Sequence, residues 1–402
     1  MCKRANDFGS IAVSIIRLSC DRCVLHAPGL DGTLIDTPYS ASNETGRIGS
    51  FTEKIPTTDA DLQTLRAHLN AKINAHAAKL RANQPVVVFV HGFLFDPYHI
   101  VTQDPKDTNN PHGRLYHFNN NLSPQDEIRD HTTSWPLGLG FENGDEGKNG
   151  LCIAFGWHSA PGLAKSLIDR FQNFYARAYD YGTETAWVFG VLLNELVAHP
   201  LLANHRIDIF CHSLGSHVIT RSLATAAKGP LIDPSLAALD RVVFLGGAEY
   251  VVEAQIMYSR IIEAGLKANQ GPTFYNIGCR ENDVLDKLGE NFGPRTFGNT
   301  NIIGHNGLAA APKAPRWIDL QIDSGELRDW LKAYDKLDVS GDQPGTIWDH
   351  WYYYTYHGNM QWFNRLLRNR TDWTLAALRN HKRGSKKSPI PEGIEEGWFF
   401  GD

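Results

Sequence analysis

Residues 208–219 read DIFCHSLGSHVI, which places Ser213 between His212 and His217, with Cys211 two positions before the serine. Three readings fit these residue types: a nucleophilic serine, a cysteine–histidine metal site, or an ordinary strand running into a helix that Ser213 caps. The apolar run Ile207–Phe210 leads into the serine, and helix-like sequence starts at Leu214. A serine on so sharp a turn is pushed out of the sheet, and the N–H of Leu214 then points to where an oxyanion forms. Such a turn needs small residues two before and two after the serine. Gly215 supplies one, and Cys211 is a mild departure from glycine at the other.

A serine nucleophile needs a second oxyanion donor, a base and an acid, in the chain order Ser…Asp…His when it sits on this kind of turn. The run VVVFVHGF ends a strand at His91-Gly92-Phe93, so the loop N–H of Phe93, with Leu94 as its alternative, is the candidate donor. After a later strand, GCRENDVLD offers Asp283, with Glu281 and Asp286 as rivals, Asp286 reading better as a helix-start charge. The late segment TIWDHWYYYTYHG offers His350 and then His357, and His305 in IIGHNGL is a third candidate base. His212 reads as a packed neighbour of the serine and His217 as structural, one turn into the helix. Trp157 and His158 end a strand at the same sheet edge and, with His91 and Leu94, are the expected substrate-pocket residues. A Cys211/His212/His217 metal site lacks any compact ligand signature, and Cys20/Cys23 is a lone CxxC without a second pair, so neither metal nor cofactor is expected.

These residues need a sheet to hold them. Seven short apolar runs read as strands: 10–18, 86–92, 151–157, 207–213, 241–247, 273–279 and 316–322. Their apolarity is continuous instead of alternating, as in strands covered on both faces. Helical patterns fall between them at 57–80, 214–227 and 251–268. Alternation of this kind predicts an α/β fold, a doubly wound and mostly parallel sheet with flanking helices. Residues 1–84 read as a strand and helix of the core domain, 85–360 as the core proper, and 361–402 as a C-terminal helix and tail. Residues 95–150, after the HG-loop strand, form a long insertion rich in Asn, Asp, Gly and Pro that reads as a polar lid.

Six short motifs in order give this chain a family likeness between about residues 85 and 360. They are the HGF loop, FGWHSAPG, YARAYDYGTETA, HSLG, NDVL and HWYY. Together they resemble the α/β-hydrolase superfamily, and more narrowly a little-characterised esterase- or lipase-like branch of its serine hydrolases. The resemblance implies an α/β-hydrolase fold with Ser213 as nucleophile, Asp283 as acid, His350 as base, and an oxyanion hole at Phe93 and Leu214. It departs from the pattern at Cys211, in the long insertion, and in the long stretch separating the last strand from His350. The implied reaction is cleavage of a small-molecule carboxylic ester through an acyl-enzyme; an amidase or thioesterase would use the same residues.

Composition excludes other classes. A hydrophobic content of 42% and charged content of 21% are those of a soluble globular chain, and a net charge of -5 gives no basis for nucleic-acid binding. The apolar start is interrupted at Ser14 and Arg17, too early for a signal peptide, and no run reaches a membrane span, so a cytoplasmic location is expected. The polar insertion favours short or polar substrates over fats. A non-catalytic binding protein on this fold would be expected to lack a triad member, and none is missing; a metal hydrolase would draw on His91, His158, His212 and His217. The tail HKRGSKKSPIPEGIEEGWFFGD reads as solvated, with an aromatic hook for the body or for oligomerisation with a partner chain.

Overall fold

The computed structural model describes residues 15–21, 24–25, 59–78, 80–97, 110–116, 134–141, 149–160, 167–227, 234–264, 271–279, 301–308, 316–339, 356–378 and 394–395. Its centre is one sheet of nine strands in the order β2-β1-β4-β3-β5-β6-β7-β8-β9. The strands are β1 (Ile15–Asp21), β2 (Val24–Leu25), β3 (Val86–Val90), β4 (Leu151–Trp157), β5 (Ile207–His212), β6 (Leu239–Leu245), β7 (Thr273–Gly278), β8 (Trp317–Gln321) and β9 (Ile394–Glu395). The seven strands expected from sequence are the seven that pair in parallel, while β2 and β9 are two-residue antiparallel additions at the two edges. β1 lies beside β4, so the N-terminal strand belongs to the same sheet as the rest. Among the described residues no helix is long and apolar enough to cross a membrane.

The winding reverses in the middle. From β1 the chain passes to β3, returns to β4 between them, then crosses to β5 on the far side of β3. In an open parallel sheet the crevice at such a reversal, outside the carboxyl ends of the strands, is where ligands bind. Here those ends are His91 after β3 and Ser213 after β5.

Burial of β3 on both sides shows why its sequence reads as unbroken apolar. Val86, Val88 and Val90 pack into one core with β5 residues Ile209 and Cys211, while Val87 and Phe89 pack into the other with Phe210. The first core is covered by helices Asp59–Ala77, Leu167–Ala198, Gly215–Ala226 and Val251–Glu263. The second is covered by Gly325–Asp335 and His357–Arg368, with Trp330, Leu331, Trp362, Phe363 and Leu366 buried.

Two stretches of the insertion also lie on that second face; 98–109, 117–133 and 142–148, the greater part of the expected polar lid, lie outside the described residues. Tyr116 and Trp135 are buried there, stacked or edge-on to Phe89, and Phe141 packs on the same ring. Arg17 of β1 donates to the Tyr116 carbonyl at 2.9 Å and Ser19 bonds the His112 ring at 3.0 Å. These stretches are core, and their aromatics shield Phe89.

The 32-residue helix Leu167–Ala198 was not apparent from sequence. It carries Gly182 and Gly190, and glycine lowers helix propensity by about 1 kcal/mol relative to alanine. Both face the helix that follows Ser213: a Cβ on Gly182 would lie 2.8 Å from the His217 ring, and one on Gly190 would lie 3.2 Å from the Ser222 hydroxyl. The glycines therefore mark a close helix crossing. Gly182→Ala should destabilise the protein by about 1–2 kcal/mol in urea unfolding, because overpacking there outweighs the roughly 1 kcal/mol that alanine adds to helix propensity; a stabilised variant would mean that the crossing relaxes freely.

Candidate functional site

Ser213 sits where β5 becomes helix. Its φ is +50°, a left-handed conformation that a serine adopts only when its surroundings impose it, and it is 6% exposed. What imposes it is visible in the backbone. The Ser213 N–H donates to the Leu245 carbonyl at 3.0 Å, tying it to the end of β6. Its carbonyl accepts from the Ser216 N–H at 3.0 Å, the Ser216 hydroxyl at 2.7 Å and the Ala248 N–H at 3.0 Å. Each bond is worth about 1 kcal/mol net, against a conformational cost of about 1–3 kcal/mol, so the four together hold the turn.

The loop after β3 presses directly on this turn. A Cβ on Gly92 would lie 2.6 Å from the Ser213 Cβ, and one on Gly215 would lie 2.5 Å from the His91 carbonyl oxygen. Glycine is required at both positions by backbone approach. Leu94 is a second left-handed residue, at φ +73°, and its side chain is 47% exposed.

Ser159, just beyond β4, organises this loop. Its hydroxyl donates to the Gly92 carbonyl at 2.7 Å and accepts the Phe95 N–H at 3.0 Å, and its carbonyl accepts the Leu94 N–H at 3.2 Å. That commits Leu94 and removes it as the alternative oxyanion donor. Among the described residues, the N–H groups of Phe93 and Leu214 donate to no backbone carbonyl. The Phe93 ring is set edge-on against Phe174 and Tyr175 of the long helix, at 6.1 and 5.5 Å between centroids.

His91 and Trp157 lie beneath this loop, fully buried, and not on an open pocket wall. The Trp157 N–H donates to His91 Nε2 at 2.9 Å, so the ring proton sits on Nδ1 and is donated to the Gly92 carbonyl at 2.9 Å. The Trp157 indole in turn donates to the His91 carbonyl at 2.8 Å. Burial pushes the His91 imidazole down to about 3, so it is neutral and acts as a strut for the loop. His158 is nearer the surface, 3.8 Å from the Asp96 carboxylate and edge-on to Tyr181. Strand alternation turns His212 to the insertion side, edge-on to Trp135, and Cys211 to the other, where its thiol points to the Val243 carbonyl.

Asp283, His350, Glu281 and Asp286 lie outside the described residues. His357 opens the helix His357–Arg368. The structure does bring His305 to the Ser213 edge. Its segment is bound to the loop after β6 by Gly304 N–H to Gly247 O at 2.8 Å and Ile303 N–H to Glu249 O at 2.9 Å, and Ala248 of that loop holds the Ser213 carbonyl. Two buried side chains anchor the segment from below. Asn276 donates to the Ile303 carbonyl at 2.7 Å and to Asp319 at 2.8 Å, and the other Asp319 oxygen accepts the Leu308 N–H at 3.2 Å. Burial raises the Asp319 carboxyl to about 6.

Sequence reading passed over Ser159 as more than a motif letter and missed Glu249 entirely. Glu249 follows two glycines in a loop, where a carboxylate ordinarily signals solvent, yet it is fully buried against His217. The chain matches no family model, no curated protein and no solved structure. Its own geometry defines a parallel α/β protein with a conformationally constrained serine at the point where the sheet reverses its winding.

The His91 strut has a pH consequence. Its pKa is depressed relative to the unfolded value of 6.5, so its stabilisation is complete above pH 6.5 and lost on acidification toward pH 3, a loss of roughly 4–5 kcal/mol over the whole span. Asp319, raised to about 6, opposes this by favouring the folded state at lower pH. Comparison with His91→Gln isolates the histidine. The variant should be about 1–2 kcal/mol less stable at pH 7.5, from the imperfect replacement of two buried hydrogen bonds, and the gap should close near pH 5 to 5.5 and reverse by pH 4, where wild type has lost about 3 kcal/mol. A gap that stays constant would show that His91 is not the group being protonated.

Proposed function

We propose that this chain is a serine hydrolase of the α/β-hydrolase type that cleaves a carboxylic ester through an acyl-enzyme. The observation that carries the reading is the left-handed Ser213, pressed against the Gly92 loop at the reversal point of the sheet, with the Phe93 and Leu214 amides uncommitted among the described residues. In this reading the Ser213 hydroxyl attacks the ester carbonyl while a histidine takes its proton. The two amides receive the developing oxyanion, and the alcohol leaves with the proton from the imidazolium. Water then repeats the sequence on the acyl-enzyme and restores Ser213. Asp283 holds the tautomer of the base, and His350 is that base on the motif likeness. His305 is the rival, favoured by the backbone bonds that carry its segment to the same edge.

Labelling with a fluorophosphonate probe, read by intact mass, tests the nucleophile. One adduct is expected on the wild type and none on Ser213→Ala; a folded wild type that takes no adduct ends the serine-hydrolase reading. His350→Ala and His305→Ala then identify the base. Loss of the true base should slow labelling by about a hundredfold or more, whereas loss of the other should leave it within a few-fold. A panel of esters, thioesters and amides ranks the bond cleaved, with esters expected first.

A further inference from the structure

Behind the serine turn, where helix Gly215–Ala226 meets the long helix, lies a buried carboxylate–imidazole pair that the proposed acyl transfer does not use. Glu249 Oε2 accepts from His217 Nδ1 at 2.9 Å, and both side chains are completely buried. The other carboxylate oxygen accepts the Tyr179 hydroxyl at 2.9 Å and the Tyr250 N–H at 2.8 Å. Three donors thus converge on Glu249. The His217 Nε2 lies 2.8 Å from the Thr183 hydroxyl, which also donates to the Tyr179 carbonyl at 3.3 Å. The Tyr179 ring stacks on the imidazole with 3.6 Å between centroids, and a Cβ on Gly182 would lie 2.8 Å from the ring's Cδ2. Glu249 fixes Nδ1 as a donor, and the stacked Tyr179 ring holds the imidazole in place.

The pair joins the two segments that hold Ser213. His217 is on the helix that the serine starts. Glu249 follows Ala248, whose N–H holds the Ser213 carbonyl, and the Glu249 carbonyl itself binds the segment that carries His305. We propose that Glu249 and His217 are positioning residues for Ser213: their bond clamps the loop after β6 to the serine helix and keeps the serine in its left-handed, reactive conformation. The inference rests on Ser213 being the nucleophile. Neither residue touches the reacting atoms. The effect arises because a nucleophile shifted by even 1 Å loses most of its rate advantage.

Glu249→Gln keeps the shape but removes the carboxylate charge and turns an N–H₂ toward His217 Nδ1, so the charge-assisted bond that the clamp relies on is lost. The expected result in folded protein is fluorophosphonate labelling and ester kcat at least about 10-fold slower, with KM within about twofold, the signature of lost positioning and not of lost substrate binding. His217→Asn and His217→Gln supply a second comparison. Asparagine keeps a donor where Nδ1 stood and should retain most of the labelling rate; glutamine places its amide toward Thr183 and should not. Wild-type labelling with an equal rate in folded Glu249→Gln, or equal rates in the two His217 variants if Glu249→Gln does not fold, overturns the positioning role alone. No labelling of the wild type ends the nucleophile reading, and this inference with it.

Discussion

Where β3 ends and β5 turns, two stretches of backbone pass closer than a methyl group permits, with the Gly92 α-carbon against Ser213 on one side and the Gly215 α-carbon against the His91 carbonyl on the other. Much else at this edge follows from that approach. It requires glycine twice, and it brings the Phe93 loop amide beside the turn that carries Leu214. The cost of the left-handed serine is offset by four hydrogen bonds, two from Ser216 and one from Ala248 to its carbonyl and one from its N–H to Leu245.

Polar groups inside the molecule do the same kind of work at larger scale. Ser159 bonds three successive parts of one loop, and His91 bonds that loop to β4 through nitrogens that never meet solvent. Asn276 and Asp319 hold the 301–308 segment, and the Glu249–His217 bond joins the loop after β6 to the serine helix. Buried groups of this type are costly when unpaired and rigidifying when satisfied, so they fix loops that apolar packing alone would leave free to slide. The residues over the sheet are held by volume; the residues at its carboxyl edge are held by direction.

The parallel strands could be read from sequence because two-sided burial writes itself as continuous apolar runs; Leu151–Trp157 was bounded without error and Ile207–His212 to within one residue. The serine turn was equally readable, since Ser213 and Gly215 are local demands of a local geometry. What escaped was whatever depends on a distant partner. The long helix carries glycines whose reason lies on another helix, His217 for Gly182 and Ser222 for Gly190. Glu249 was hidden because nothing near it in the chain announces Tyr179 or His217. Composition averages over the insertion, so it does not announce that Tyr116 and Trp135 answer to Phe89. β2 and β9 are too short to leave a pattern.

Those two short strands bear on how the molecule behaves in a crowd. A parallel sheet ends in rows of unpaired backbone donors and acceptors, and any extended chain that drifts past can add to it. Here β2 runs antiparallel along β1 at Cys20 and Asp21, and β9 runs antiparallel along β8 at Asp319 and Leu320. The tail is thereby recruited as a stopper, and Asp319, whose side chain anchors a loop inside, has its backbone covered from outside. Growth of the sheet from one copy into the next is impeded at both margins, so self-association by strand addition would first have to displace part of the chain's own ends.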